Sequence, residues 1–141
     1  MASIHKDIRA ALETKLSNVS GLPSIAYENI AFSPTTGESY IQVRYIPTTR
    51  RPAVRGLNPQ QRYDGVLQVI CFAPEGNGPA TGDDLANKVI EAFDATTKID
   101  YTNSDSETIT VSIDYAERQQ GFLDSPWYYI PVNIGWYIYN T

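Results

Sequence analysis

The chain has 141 residues with sixteen acidic and eleven basic side chains, which gives a formal net charge of −5. This length fits one domain, residues 1–141, and the negative balance argues against a protein whose whole surface coats nucleic acid. The hydrophobic share of 42%, with 11% aromatic residues, is typical of an ordered globular protein rich in β structure.

Cysteine and histidine usage excludes several classes of protein. Cys71 is the only cysteine and cannot form an internal disulfide, and His5 is the only histidine. One cysteine and one histidine do not make a typical zinc site, so we expect no metal and no cofactor.

The N-terminus is charged and no apolar run approaches the ~20 residues of a membrane span, so we expect synthesis in the cytoplasm and no membrane partner.

The first half of the chain predicts one helix followed by strands. Ile4, Ile8, Leu12 and Leu16 recur every four residues, which predicts a helix over residues 3–18. Short strand-like runs follow at 24–32 and 40–47. The run "YDGVLQVICFAP", residues 63–74, is apolar at both alternating positions, so we expect a long strand that is covered on both faces.

The second half predicts another helix and two further strands. Leu85, Val89 and Phe93 indicate a helix over residues 83–93, and alternating side chains indicate strands near 107–117 and 126–140. The predicted fold is therefore α+β: a mainly antiparallel sheet, two helices packed on one face, and a long extended loop between two strands.

No set of residues predicts catalysis. His5 lies at the start of the first helix, far along the chain from Cys71, which sits within a strand and is expected to be a buried thiol. Gly76, Gly78 and Gly82 precede a helix, but their spacing matches no nucleotide-binding fingerprint, and aspartates at the helix start would repel phosphate. We therefore expect a protein that is not an enzyme.

The segment "TTRRPAVRGLNPQQRY", residues 48–63, carries Arg50, Arg51, Arg55 and Arg62 and no acid. A solvated loop, contact with DNA or an acidic ligand, and docking onto another subunit are all open interpretations. Its length favours a functional segment, and its lack of aromatics other than Tyr63 weakens the nucleic-acid reading. A basic segment on an acidic body could dock onto a neighbouring copy, and such head-to-tail contacts can close into a ring.

Several stretches together resemble the phage tail terminator-like proteins of long-tailed phages. They are "IHKDIRAALETKL", "IAYENIAFSPTTGESYIQVRYIP", "GVLQVICFAPEGNGPATGDDLANKVIEAF" and "YYIPVNIGWY", and they span nearly the whole chain. The resemblance rests on their order, since none is a catalytic motif.

The resemblance implies a structural virion protein at the head-proximal end of the tail. Such proteins assemble as a ring, commonly a hexamer, on the end of the tail tube, stop its polymerisation and meet the head-completion protein. The implied partners are further copies of itself, the tail tube protein and the head-completion or connector protein, with genomic DNA passing through without sequence-specific binding. Another neck or tail-completion component, or a small module binding nucleic acid or a ligand through the arginines, is the alternative.

Overall fold

The computed structural model describes residues 4–53, 56, 60–76 and 78–140, and within them two helices and seven strands form the fold. The helices are α1 (Ile4–Ser17) and α2 (Ala80–Ala92). The strands are β1 (Ser24–Ala26), β2 (Tyr40–Pro52), β3 (Gln61–Pro74), β4 (Lys98–Thr102), β5 (Thr108–Arg118), β6 (Phe122–Asp124) and β7 (Trp127–Asn140).

All seven strands belong to one sheet, in the order β1-β2-β3-β7-β5-β4, with β6 paired to the start of β7. Only the three-residue β1 runs parallel to its neighbour, and the other pairs are antiparallel. The long strands β3 and β7 pair along their whole lengths, from Gln61 with Asn140 to Pro74 with Trp127. They form the centre of the sheet.

Both helices cover the same face of this sheet. Every second residue of β3 is buried on that face, and the buried side chains of the helices join the inward-facing strand residues in one core. In α1 the buried residues Ile8, Leu12 and Leu16 follow the four-residue spacing of the sequence, because that spacing keeps them on one side of the helix. Each such aliphatic side chain stabilises the fold by about 1.5–3 kcal/mol relative to exposure.

The opposite face of the sheet, which we call the outer face, is covered less completely. Val66, Ile70 and Phe72 of β3 point to it and are only partly buried. The expectation that this strand is covered on both faces is therefore wrong. At one end of the outer face, aromatic rings shield one another across the strands: the Tyr40 and Phe72 rings stack with centroids 4.4 Å apart.

The predicted α+β class is confirmed, and both helices start within three residues of their predicted positions. The strands differ more. The pattern at residues 24–32 yields only Ser24–Ala26 as strand, and the sequence pattern did not indicate β4 or β6. Neither described helix is long and apolar enough to cross a membrane.

Candidate functional site

The arginine-rich segment is a β-hairpin extension rather than the long extended loop expected from the sequence. After an irregularity at Pro47–Thr49, β2 keeps pairing with β3 as far as Pro52 opposite Gln61. The Ala53 amide then donates to the carbonyl of Gln60 at 2.6 Å. We call residues 48–63 the basic arm. Its β3 side is also paired to the end of β7, so the described residues 48–53 and 60–63 of the arm continue the sheet as part of a three-stranded extension.

The open edge of β2 is blocked against pairing with another strand. The Tyr45 amide donates to Glu28 Oε1 at 2.5 Å, so this amide points away from β3. Backbone alternation places Pro47 on the same side, and the Ala53–Gln60 bond places Pro52 there too. Proline has no amide hydrogen to donate, and prolines on edge strands discourage strand addition. Contacts made by the arm must therefore come mainly from its side chains.

Arg62 is held inside its own copy. Its Nε and Nη2 atoms donate to the Asp64 carboxylate at 2.9 and 3.0 Å, and Nη1 donates to the Tyr139 hydroxyl at 2.8 Å. The guanidinium also lies 4.4 Å from the centre of the Tyr137 ring. The hydrogen bond to Asp64 raises the pKa of Arg62, which stays charged. This arginine joins β3 to β7 within one copy.

Arg50 lies on the helix-covered face, at the root of the basic arm. Its Nε donates to the Tyr63 hydroxyl at 3.0 Å. The same tyrosine packs edge-on against His5 of α1, whose Nδ1 lies 2.7 Å from the Tyr45 hydroxyl. The arm root is therefore anchored to the start of α1 through aromatic and hydrogen-bonded contacts.

Among Arg50, Arg51 and Arg62, the arginines of the basic arm that the structure describes, Arg51 is the one whose guanidinium is not engaged within its own copy. It is exposed on the outer face, directly opposite Arg62, and within the described part of the chain its guanidinium has no hydrogen-bonding or ionic partner. Like charges facing each other across strands repel, and Asp64 offsets that repulsion through Arg62. The fourth predicted site residue, Arg55, lies outside the described residues. The two arginines therefore differ: the guanidinium of Arg62 binds groups of its own copy, and that of Arg51 does not.

The side chains considered for chemistry are used structurally. Cys71 is fully buried on β3, and burial raises the pKa of its thiol to about 12. Gly82 is buried within α2, where an added Cβ would lie 3.0 Å from Ile130, so its small size serves helix–sheet packing. Asp83 accepts a hydrogen bond from Arg118 at 2.5 Å. Among the described residues, no three potential metal ligands of the Cys, His, Asp and Glu types lie together.

Sequence reasoning missed the partners that distinguish the arginines. Arg62 and Asp64 are two positions apart in a strand, and this spacing by itself shows that their side chains share a face. Tyr139 lies 77 residues further along the chain, and its contact with Arg62 follows from the β3–β7 register alone. No local signal could have found it.

Comparison with known proteins identifies the family. A family profile described as "Phage tail terminator protein" matches residues 7–136. One solved structure, at 20% sequence identity, has a TM-score of 0.74 and covers 99% of this chain and 98% of its own, which shows a shared fold. None of the curated proteins matches this chain. Because the profile spans nearly all of the sequence, the chain belongs to the phage tail terminator family.

Proposed function

We propose that this protein assembles head to tail into a ring, a hexamer, on the end of a completed tail tube. The ring ends tube polymerisation and offers its free side to the head-completion or connector protein. Membership of the phage tail terminator family supports a structural role in the phage tail. Its place in the virion is then the head-proximal end of the tail, and its role requires no catalysis.

The observation that carries the proposal is the exposed Arg51 on a basic arm that projects from an acidic body. The arm residues 48–63 hold four arginines and no acid, although the chain as a whole has net charge −5. Arg51 has no partner in the described part of its own copy, while acidic residues are plentiful elsewhere on the same chain. Each copy thus carries both halves of an electrostatic contact, and repeated heterologous contacts close into a ring when the rotation allows it.

The charge balance also suits passage of DNA through such a ring. An acidic surface repels the phosphate backbone, so the duplex could pass without sequence-specific binding. Arg50 and Arg62 are engaged by Tyr63 and Asp64, so of the three described arginines of the basic arm only Arg51 is available to hold a nucleic acid. The same charges favour contact of the basic arm with a neighbouring subunit or with the tail tube over contact with DNA.

The test is native mass spectrometry and electron microscopy of the purified full chain, together with the length of assembled tails. Arg51→Glu should reduce multimer formation and give tails of uncontrolled length, while the monomer keeps its unfolding midpoint. Lys88→Glu is the matched control: it makes the same change of charge at an exposed position of α2. We expect Lys88→Glu to assemble like the wild type.

Two results would contradict the proposal. One is normal assembly and normal tail length of the triple variant Arg50→Ala, Arg51→Ala, Arg55→Ala, which would contradict the head-to-tail contact through the basic arm. The other is tight DNA binding by the wild type at physiological salt, with an affinity that falls steeply as salt is added, because this is the behaviour of a nucleic-acid-binding module.

A further inference from the structure

The basic arm and the β4–β5 hairpin lie at the same end of the sheet but at opposite edges. Arg51 pairs with Arg62, and Arg62 pairs with Tyr139 of β7. Ser112 of β5 pairs with Tyr137, so Thr110, two residues before it, lies at the level of Tyr139. Asp100 of β4 pairs with Thr110. Arg51 and Asp100 therefore stand at the two ends of one row on the outer face, which is paired at every step except between Tyr139 and Thr110.

These two side chains cannot meet within one copy. The row crosses five strands: three of its four spacings are between paired strands, about 4.8 Å each, and the fourth, between Tyr139 and Thr110, is unpaired. Three intervening strands keep the two side chains out of contact. Beyond its three-residue pairing with β1, β2 is an edge strand, and β4 is the edge strand on the other side. A second copy placed beside the first can bring Arg51 of one against Asp100 of the other at the same height.

A cleft lies between β5 and β7, on the far side of β5 from Asp100, and Thr110, which donates to Asp100, forms part of its lining. The pairing of β5 with β7 begins at Ser112, and within the described residues the earlier part of β5 is not paired to the end of β7. The gap forms a cleft of about 350 Å³ lined by Thr108, Ile109, Thr110, Ser112, Ile138 and Tyr139. Its threonine and serine hydroxyls can donate to or accept from an incoming polar side chain. The surface next to this edge therefore offers a recess with polar groups on one side of β5 and the carboxylate of Asp100 on the other.

The charge of this edge is opposite to that of the arm. Residues 98–114 contain Asp100, Asp105, Glu107 and Asp114 against one lysine. All four carboxylate residues are exposed. The Asp100 carboxylate accepts from Thr110 Oγ1 at 2.6 Å, which fixes its direction on the outer face without neutralising it.

We infer that the β4–β5 edge is the surface that receives the basic arm of the next copy, with Arg51 against Asp100 and the arm seated at the cleft between β5 and β7. This inference rests on the proposed ring, since it names the two surfaces that meet in each contact. The contact is heterologous: arm to edge, never arm to arm.

Cysteine cross-linking tests the pairing directly, because the single native cysteine is buried. The double variant Arg51→Cys, Asp100→Cys should form a ladder of covalent multimers under mild oxidation or with a short bifunctional thiol reagent. Each single variant should remain largely monomeric on a denaturing gel. The double variant Arg51→Cys, Lys88→Cys is the matched control and should form no ladder. Cross-linking captures transient contacts, so the experiment needs no stable ring.

The outcomes separate this inference from the proposed ring. If wild-type multimers appear by native mass spectrometry but the Arg51–Asp100 cysteine pair gives no ladder, the ring stands and the inference is overturned. Efficient dimers of Arg51→Cys alone would show arm-to-arm contact, which also overturns it. If neither multimers nor cross-links form, both the ring and the inference fail.

A charge exchange adds a second check: Asp100→Arg should weaken assembly, and combination with Arg51→Asp should restore it.

Discussion

At the scale of single residues, the three described arginines of the basic arm differ in what holds their guanidinium groups. Arg62 is fixed by Asp64, Tyr139 and the Tyr137 ring, and Arg50 is fixed by Tyr63. Arg51 extends from the outer face without such contacts in the described part of the chain. Arginines of the same short segment therefore differ in role: Arg62 and Arg50 stabilise the fold of their own copy, and Arg51 remains available to a partner.

Replacement of Arg62 by methionine should destabilise the monomer by about 1 kcal/mol. The ion pair with Asp64 is bidentate but partly exposed, so solvent screens it, and methionine keeps most of the apolar stem. Equilibrium urea unfolding measures the effect. The control, Arg51→Met, should leave stability unchanged or slightly raised because it relieves repulsion from Arg62. Equal losses in both variants would show that the two arginines do not differ in this way.

Cys71 should react with a thiol reagent only when the protein unfolds. Burial raises the pKa of its thiol to about 12, so almost no thiolate exists at pH 8, and the side chain is fully buried. We expect labelling at pH 8 to be far slower in native protein than in urea-unfolded protein. Fast labelling of the native protein would mean that β3 opens locally.

At the scale of secondary structure elements, the contact between β3 and β7 depends on a glycine. Gly65 lies opposite Trp136, and an added Cβ would come within 2.2 Å of the indole ring and 2.7 Å of the Ile46 carbonyl. Trp136 in turn stacks on Tyr45, with ring centroids 5.4 Å apart. The glycine therefore makes room for an aromatic pair that joins the middle of the sheet to the strand of the basic arm.

Gly65→Ala should destabilise the protein by about 1–3 kcal/mol, because the tryptophan or the β2 backbone must shift to accommodate the methyl group. Denaturant unfolding measures the loss, and the near-ultraviolet circular dichroism of the aromatic pair should weaken. A change smaller than about 0.5 kcal/mol, the range of ordinary surface substitutions, would contradict this packing.

The link between α1 and the β4–β5 hairpin is a second contact between elements. Asn103 Nδ2 donates to the buried Asp7 carboxylate at 2.9 Å, and Asn103 Oδ1 accepts from the amides of Asp105 and Glu107. One side chain thus holds the turn of the hairpin and satisfies a buried acid.

Asn103→Ala should cost about 1–3 kcal/mol, since it leaves the Asp7 carboxylate buried without this donor. A double-mutant cycle with Asp7→Ala tests the reason. The double variant should lose less than the sum of the two single losses, because removing both partners leaves no unpaired acid. Additive losses would show that the two residues do not interact.

At the scale of the whole molecule, charge is divided between the two edges of the sheet. The basic arm continues β2 and β3, and the acidic residues 98–114 form the β4–β5 edge. An assembly built on contact between these edges is held largely by electrostatic attraction between partly exposed groups, which salt screens.

Raising the salt concentration should therefore dissociate the multimer. Between 0.1 and 1 M salt the screening length falls from about 10 Å to about 3 Å, which weakens exposed ion pairs strongly. Sedimentation velocity across this range should show a shift from multimer to monomer. A multimer that is equally stable or more stable at 1 M salt would indicate an apolar interface instead.

Much of the fold could be predicted from local pattern. The four-residue spacing in α1 and the alternation in β5 and β7 involve residues that are close together in the sequence. The helices, the central strands and the fold class could therefore be predicted from the sequence. Short edge strands such as β4 and β6 carry too few residues to show a pattern. The end of β2 appeared irregular because prolines and arginines obscure alternation on an exposed edge.

The sequence by itself determined the α+β class, the single buried thiol, the concentration of arginine at residues 48–63 and the resemblance to tail terminators. Tertiary structure alone decided which arginines are engaged, because Tyr139 reaches Arg62 only through the β3–β7 register. It also decided that Arg51 and Asp100 occupy opposite ends of one row. Local spacing sets which face of an element a side chain occupies, whereas strand order and register set what lies beside it.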